Sequence, residues 1–310
     1  MTIGFIGNFI PPFSTENDRK WSFEKLGHRV LTFQENETDP AQLLNRIHDI
    51  DLLLYSHTHD PAYHIIGLKA VFIEFEKHFI PTASVHLDRW AWLKREEDIG
   101  KEATWFAHYQ FMADFSPEAV DLYIKHRINA YHLLPGVVER DCYMDKNYNG
   151  KDFLYDVVFV GSRGYHPEYP FRPKLIDFLK ETYGNRFGHY GNDGEGVARG
   201  EALNRLYAVS KVVVGDTCFG GRPNYVSDRY YETRGRGGFL LHPYVEGIDT
   251  IGIGEYEAGN LVDLKTQIDY WLKHNRERET RRKLAHHYVK SFETYTQRAE
   301  ELLDVIFLKP

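Results

Sequence analysis

Cysteine is scarce in this 310-residue sequence, represented only by Cys142 and Cys218. The two form no close pair and no metal-binding cluster, so a disulfide framework is excluded and a reduced, cytoplasmic setting is expected. No stretch approaches the roughly 20 apolar residues of a membrane helix, and the N-terminus enters a strand without the basic and apolar regions of a signal peptide; no membrane insertion is expected. Positive charge is also in deficit. The net charge of −7 argues against non-specific attraction to nucleic acid, while a local basic cleft stays open. There is no short-period repeat and no low-complexity segment. Nor is there a Gly-x-Ser-x-Gly elbow, a Walker phosphate loop or a glycine-rich dinucleotide fingerprint, so hydrolase, ATPase and dehydrogenase readings lose support.

What the chain does contain is one unit built repeatedly, a strand followed by a helix. In the first half, strands are predicted over 2–6, 29–33, 52–55, 82–86, 106–112 and 130–134, and helices over 15–26, 40–47, 64–79 and 117–125. Pro135-Gly136 then opens a polar connection with no apolar periodicity over 139–152. In the second half, strands fall over 153–160, 186–190, 211–214 and 239–241, with helices over 173–183 and 201–210. This alternation predicts an α/β fold with doubly wound, Rossmann-like domains. The expected division is 1–150, 151–290 and a terminal helical segment, 291–310. The tail reads as helical, with Ala299, Leu302, Leu303 and Ile306 forming an apolar stripe. The basic run Arg276 to Lys283 reads as a solvated face.

Doubly wound domains gather ligands at the carboxyl ends of their strands. That rule selects Gly7-Asn8, residues 56–60 and His86 to Asp88 in the first half, and Gly161-Ser162-Arg163, Asn192, Thr217 and Ser227 to Glu232 in the second. The stretch 220–243 is the richest. Ser227 is expected to cap a short helix starting at Asp228, and Gly235 to Gly238 to end it before a buried strand. Arg222, Arg229, Arg234 and Arg236 crowd this segment around Glu232. Free amides and guanidinium groups there can hold a nucleotide diphosphate while the carboxylate accepts from ribose hydroxyls; an ordinary helix with ion-paired arginines is the alternative. His57, His59, Asp60, His86 and Asp88 raise the question of a metal, but their spacing matches no established ligand pattern, and no metal is expected. A general base must reach the acceptor hydroxyl, and Asp88 is the choice.

Two sets of residues carry a resemblance. Ser227-Asp228-Arg229-Tyr230-Tyr231-Glu232, Gly237-Gly238-Phe239-Leu240-Leu241, Tyr270-Trp271-Leu272 with Arg276-Glu277-Arg278, and Thr294-Tyr295 with Arg298 resemble glycosyltransferases of the GT-B class, in particular the CgeB-type group. Phe13-Ser14-Thr15-Glu16-Asn17, Leu26-Gly27-His28, Gln34-Glu35-Asn36 and His86-Leu87-Asp88-Arg89-Trp90 are similar to glycosyltransferases predicted in actinobacterial phages. The resemblance implies two Rossmann-like domains facing a cleft, with the terminal helix crossing back to the first. It implies transfer of a sugar from a UDP- or GDP-linked donor to an acceptor hydroxyl, such as a modified DNA base or a phage or host protein, without a cofactor. Donor contacts would come from Gly161, Ser162, Arg163, Asn192, Ser227, Asp228, Arg229, Tyr231, Glu232, Gly237 and Gly238, with Glu232 on the ribose and Gly237-Gly238 near the diphosphate. Asn8, Ser14 and His57 would lie on the acceptor side, and His86 and Asp88 by the transferred sugar. Retaining relatives often carry a second glutamate eight positions before the ribose-binding one. Here that position is Asn224, which leaves the stereochemistry open. A nucleotide-sugar epimerase and a non-catalytic nucleotide-sugar binder are the other readings.

Overall fold

The computed structural model describes residues 1–56, 67–146, 148–164 and 167–308. The chain divides into two compact units: Met1–Leu134 together with the chain from Tyr295 onward, and Pro135–Thr294. The first boundary falls earlier than the expected 150. Asp141 and the carbonyl of Tyr143 are tied to Arg236 and Asn204, so the polar connection packs as part of the second unit. The second boundary falls at 294, where the last helix begins.

The first unit holds strands β1 (Thr2–Gly7), β2 (Arg29–Gln34), β3 (Leu52–Ser56), β4 (Thr82–His86), β5 (Tyr109–Met112) and β6 (Ala130–His132). All pair in parallel, in the order β2-β1-β3-β4-β5-β6. Successive side chains of a strand point to opposite faces, and both faces here are apolar. Ile3, Phe5, Leu52 and Leu54 pack with Phe23 of α1 (Thr15–Lys25) and with Ala299, Leu302 and Ile306 of a C-terminal helix. On the other face Ile6, Leu53 and Tyr55 meet Leu43 of α2 (Pro40–Leu44) and Val71, Phe72 and Phe75 of α3 (Leu68–Lys77). A further helix, α4 (Pro117–Lys125), packs Ala119 and Tyr123 against Trp90, Trp105 and Met112.

The second unit holds β7 (Tyr155–Val160), β8 (Phe187–Tyr190), β9 (Ser210–Val214), β10 (Leu240–Pro243) and β11 (Gly254–Tyr256), parallel in the order β11-β10-β9-β7-β8. Val157, Phe159, Val212 and Val214 are covered by α5 (Phe171–Tyr183) and, further along, α8 (Leu261–Lys273). Val158, Val160 and Val213 face Leu203, Leu206 and Tyr207 of α6 (Glu201–Ala208). Helix α7 (Arg229–Gly235) leads into β10, and α9 (Asn275–Phe292) precedes α10 (Tyr295–Phe307), whose stripe fills the first unit's core.

Two local expectations need correction, and one strand was not expected. The strand predicted over 106–112 begins at Tyr109, because 103–106 form a 3-10 turn. The edge strand β11, only three residues long, is too short to show a period. The basic run of α9 is not a solvated face throughout. Arg278 and Arg282 are fully buried; Arg282 donates to the carbonyls of Tyr207 (2.7 Å) and Gly237, and Arg278 to that of Trp271 (2.7 Å). Burial pushes both guanidinium groups down to about 10. Among the described residues, no helix is long and apolar enough to cross a membrane.

Candidate functional site

Parallel strands bring distant side chains to one sheet end. At the carboxyl ends of β7 and β9, Arg172 from the first turn of α5, Asp216 after β9 and Arg229 from the start of α7 form one cluster. Arg172 Nε lies 2.8 Å from Asp216 Oδ2, and Arg229 Nη2 lies 3.2 Å from Asp216 Oδ1. Both guanidinium groups also hold the turn after β7: Arg229 Nη1 donates to the Val160 carbonyl (3.0 Å) and Arg172 Nη1 to that of Ser162 (3.3 Å). Burial alone would raise the Asp216 carboxyl, but the two arginines more than offset it and hold it below the ordinary carboxylate range. Two guanidinium groups thus share the Asp216 carboxylate.

Glycine at 161 is required by this arrangement. Its φ of +147° is poorly accessible to other residues, and a Cβ there would meet Arg229 Nη1 at 2.5 Å. Beside the cluster, Thr217 and His242 are nearly fully buried. Thr217 Oγ1 and His242 Nε2 have no hydrogen-bond partner among the described residues. His242 Nδ1 lies 2.8 Å from the Pro243 carbonyl, so Nδ1 carries the proton and Nε2 is a bare acceptor. Burial pushes the ring down to about 4, which keeps it neutral.

The other residues expected on the donor side have varied placements. The helix cap is Asp228, whose carboxylate accepts from the Arg229 amide (2.8 Å), and not Ser227. Ser227 supplies a carbonyl to Tyr230 N, and its hydroxyl has no partner among the described residues. Glu232 is in the first turn of α7 and partly exposed; burial pushes its carboxyl up, against the pull of its ion pair with Arg236. Arg163 is paired with Asp177, Nη2 to Oδ2 at 2.5 Å, while its amide donates to Asp193. Asn192 is exposed at the end of β8, and Tyr231 is buried against Arg234. Gly237 and Gly238 do not join the cluster. They precede β10, at the amino ends of the parallel strands, and pack on Met144 and Thr233. They serve to stop α7 and start β10.

In the first unit, His86 ends β4, the strand expected over 82–86, and its side chain lies inside the core. It is fully buried, its ring stacks on Trp105 at 4.4 Å, and Nε2 meets Gln110 Oε1 at 2.8 Å. Asp88 lies in the loop beyond, 3.6 Å from Arg95. Asn8 accepts from Gln34 (3.3 Å), and Ser14 caps α1 by accepting from the Asn17 amide (3.2 Å). His57, His59 and Asp60 lie outside the described residues. Among the described residues, no group of three His, Cys, Asp or Glu side chains is placed to hold a metal ion.

Residues 172–304 match a family model described as glycosyl transferase-like. That span takes in Arg172, Asp216, Arg229 and Glu232. Solved structures similar along the whole chain include Anabaena HepE in complex with UDP and glucose, at 12% identity and TM-score 0.65 over 100% of both chains. T4 phage BGT in complex with its UDP-glucose substrate matches at 13% identity and TM-score 0.63, over 99% of this chain and 98% of that one. Sucrose-phosphate synthase from Thermosynechococcus elongatus matches at 11% and 0.60, over 99% and 98%. The likeness establishes the fold: the two parallel-sheet α/β units are those of the GT-B glycosyltransferases. No curated protein matches the chain.

Sequence reasoning passed over Arg172 and Asp216. They lie 44 residues apart, with no local motif linking them. The available signal was an acid two residues beyond a buried β-branched strand.

Proposed function

We propose that this chain is a glycosyltransferase that moves a sugar from a nucleoside diphosphate donor to an acceptor hydroxyl. The observation that carries the reading is the Arg172–Asp216–Arg229 cluster at the carboxyl ends of β7 and β9. Its guanidinium groups are oriented by buried hydrogen bonds before any ligand arrives, and that preorganisation stabilises charge developing on a departing diphosphate. Thr217 Oγ1 and His242 Nε2 add a hydroxyl and an acceptor at the same sheet end. Gly161 and Ser162 line the turn, and Glu232 accepts from the ribose. The arginines supply the counter-charge, so the reaction is read as metal-independent. UDP and UDP-glucose in the HepE and BGT complexes support UDP as the carrier. The resemblance to CgeB-type and phage enzymes points to a modified DNA base or a phage or host protein as acceptor, and the net charge of −7 favours the protein over duplex DNA.

The test is a thermal-shift titration with UDP-glucose, since a ligand that binds the folded state raises its apparent stability. Arg229→Ala should weaken UDP-glucose about tenfold or more, the scale of one charge-assisted hydrogen bond. Unchanged affinity in that variant would sink the assignment of the cluster. Conversion of the sugar without an acceptor would identify an epimerase in place of a transferase.

A further inference from the structure

The carboxyl end of the second unit's sheet is furnished differently on its two faces. Asp216 stands at the edge between them, with Oδ2 taken by Arg172 of α5 and Oδ1 by Arg229 of α7. Helix α7 lies on the α6 side. There Thr233 Oγ1 donates to the Tyr207 hydroxyl (3.3 Å), and Arg236, the ion-pair partner of Glu232, donates to Asn204 Oδ1 (2.7 Å). On the α5 side stand aromatic rings. Tyr169, two residues before α5, meets Phe171 at 6.1 Å between ring centroids and Phe219 at 5.6 Å. Phe171 in turn packs on the core that α5 and α8 cover.

Tyr169 and Phe219 have features that packing does not require. Phe219 has a φ of +56°, where glycine is the unstrained choice, and the chain does use glycine at the next two left-handed positions, Gly220 and Gly221. A phenylalanine kept there against that cost implies a use for its ring. Tyr169 and Phe219 are both only half-buried. The Tyr169 hydroxyl lies over Gly220, 3.9 Å from the place of a Cβ there, and has no hydrogen-bond partner among the described residues. Burial and the nearby Asp216 carboxylate push the phenol up, against the pull of Arg172 and Arg229, so it keeps its proton as a donor. Ring surface and hydroxyl thus stand together beside the arginines. A hexose matches such a pair, since its C–H face rests on an aromatic ring while its rim of hydroxyls takes hydrogen bonds.

We propose that Tyr169 and Phe219 form the subsite for the transferred sugar, Phe219 by laying its ring against the C–H face and Tyr169 by donating to a sugar hydroxyl. This rests on the transferase reading above. With the diphosphate on the arginines and the ribose on Glu232, the nucleoside occupies the α7 side of Asp216. The sugar, at the other end of the diphosphate, then reaches the α5 side, where the two rings stand. Arginines, rings and Glu232 all belong to the second unit, so the subsite draws on that unit alone.

The experiment measures Kd by calorimetry for UDP-glucose, UDP-N-acetylglucosamine and GDP-mannose, each beside its sugar-free nucleotide, UDP or GDP. The full chain is compared with Tyr169→Phe, Phe219→Gly and Arg229→Ala. For the donor that the parent binds most tightly, Tyr169→Phe should weaken binding about three- to tenfold, the loss of one hydrogen bond. Phe219→Gly, which suits the left-handed backbone but removes the ring, should weaken it about fivefold. In both variants the sugar-free nucleotide should stay within about twofold, which also shows that the arginine cluster is folded. Arg229→Ala, by contrast, should weaken donor and sugar-free nucleotide alike. Unchanged donor affinity in Tyr169→Phe, or an equal loss for donor and sugar-free nucleotide, overturns the proposal. Tyr169→Phe removes a single oxygen atom and decides the matter if Phe219→Gly does not fold. If the parent binds neither nucleotide, with or without a sugar, the transferase reading itself fails, a result distinct from a loss confined to the sugar-bearing ligand.

Discussion

The two units make the same provision with opposite charge. In each, the glycine where the first strand of the sheet gives way to its turn leaves space for an ionised side chain from a helix: Gly7 admits Glu16, and Gly161 admits Arg229. Around Gly161 two arginines share one aspartate, while over Gly7 a glutamate rests on a serine hydroxyl. Burial acts on both carboxylates in the same direction, and the neighbours decide the outcome. Asp216 has two guanidinium groups within ion-pair distance and is held ionised below the ordinary range; Glu16 has weaker compensation and is raised. Topology thus provides matched positions, and local charge gives each its chemistry: one suited to an anion, the other to receiving a proton.

The largest expected effect comes from breaking the second cluster. Asp216→Asn preserves shape but leaves two buried cations side by side, and should cost about 3–5 kcal/mol in urea unfolding. Because folding depresses the Asp216 carboxyl, its contribution is present above its ordinary value of 3.8 and lost as pH falls below it, so the deficit should shrink in acid. An equal deficit at every pH would deny the ionic origin. Next, Leu302→Ala should cost about 2–5 kcal/mol through a cavity in the first unit's core. UDP-glucose should still shift the melting of the second unit in that variant; loss of the shift would break the separation of roles. The smallest effect has the opposite sign. Folding raises the Glu16 carboxyl, so the stabilisation from its proton is full below 4.5 and lost as pH rises. Glu16→Gln should therefore melt higher than the parent at pH 7, with the difference gone near pH 4. A lower melting point at pH 7 would show that the carboxylate is held for stability.

Much of the fold was legible because the inner parallel strands, buried on both faces, appear as short apolar runs between polar turns, from Ile3-Gly4-Phe5-Ile6 to Leu240-Leu241. The stripe on α10 was equally plain, since Ala299, Leu302 and Ile306 recur at helical spacing. The site was harder to read for a physical reason. Sheet topology creates it by joining Arg172 to Asp216 across 44 residues. Gly237-Gly238 sits within a recognisable motif, yet only strand direction shows that it belongs to the other end of the sheet. The burial of His86 follows from Trp90 and Trp105 closing on it from either side of the loop. Arg278 and Arg282 looked like surface charge because a charged helix reveals its inward face only when the carbonyls of Trp271, Tyr207 and Gly237 are in place to receive them.

Helix α10 also sets an order of events during synthesis. The second unit is continuous in sequence and has all its residues once Thr294 has left the ribosome. The first unit, although its strands are made earliest, lacks Ala299, Leu302 and Ile306 until these residues, later than all of the second unit, have emerged. Domains ordinarily fold from the N-terminal one onward as the chain emerges. Here the amino-terminal sheet must wait with one face uncovered, and the part of the molecule made second is the first that can be finished.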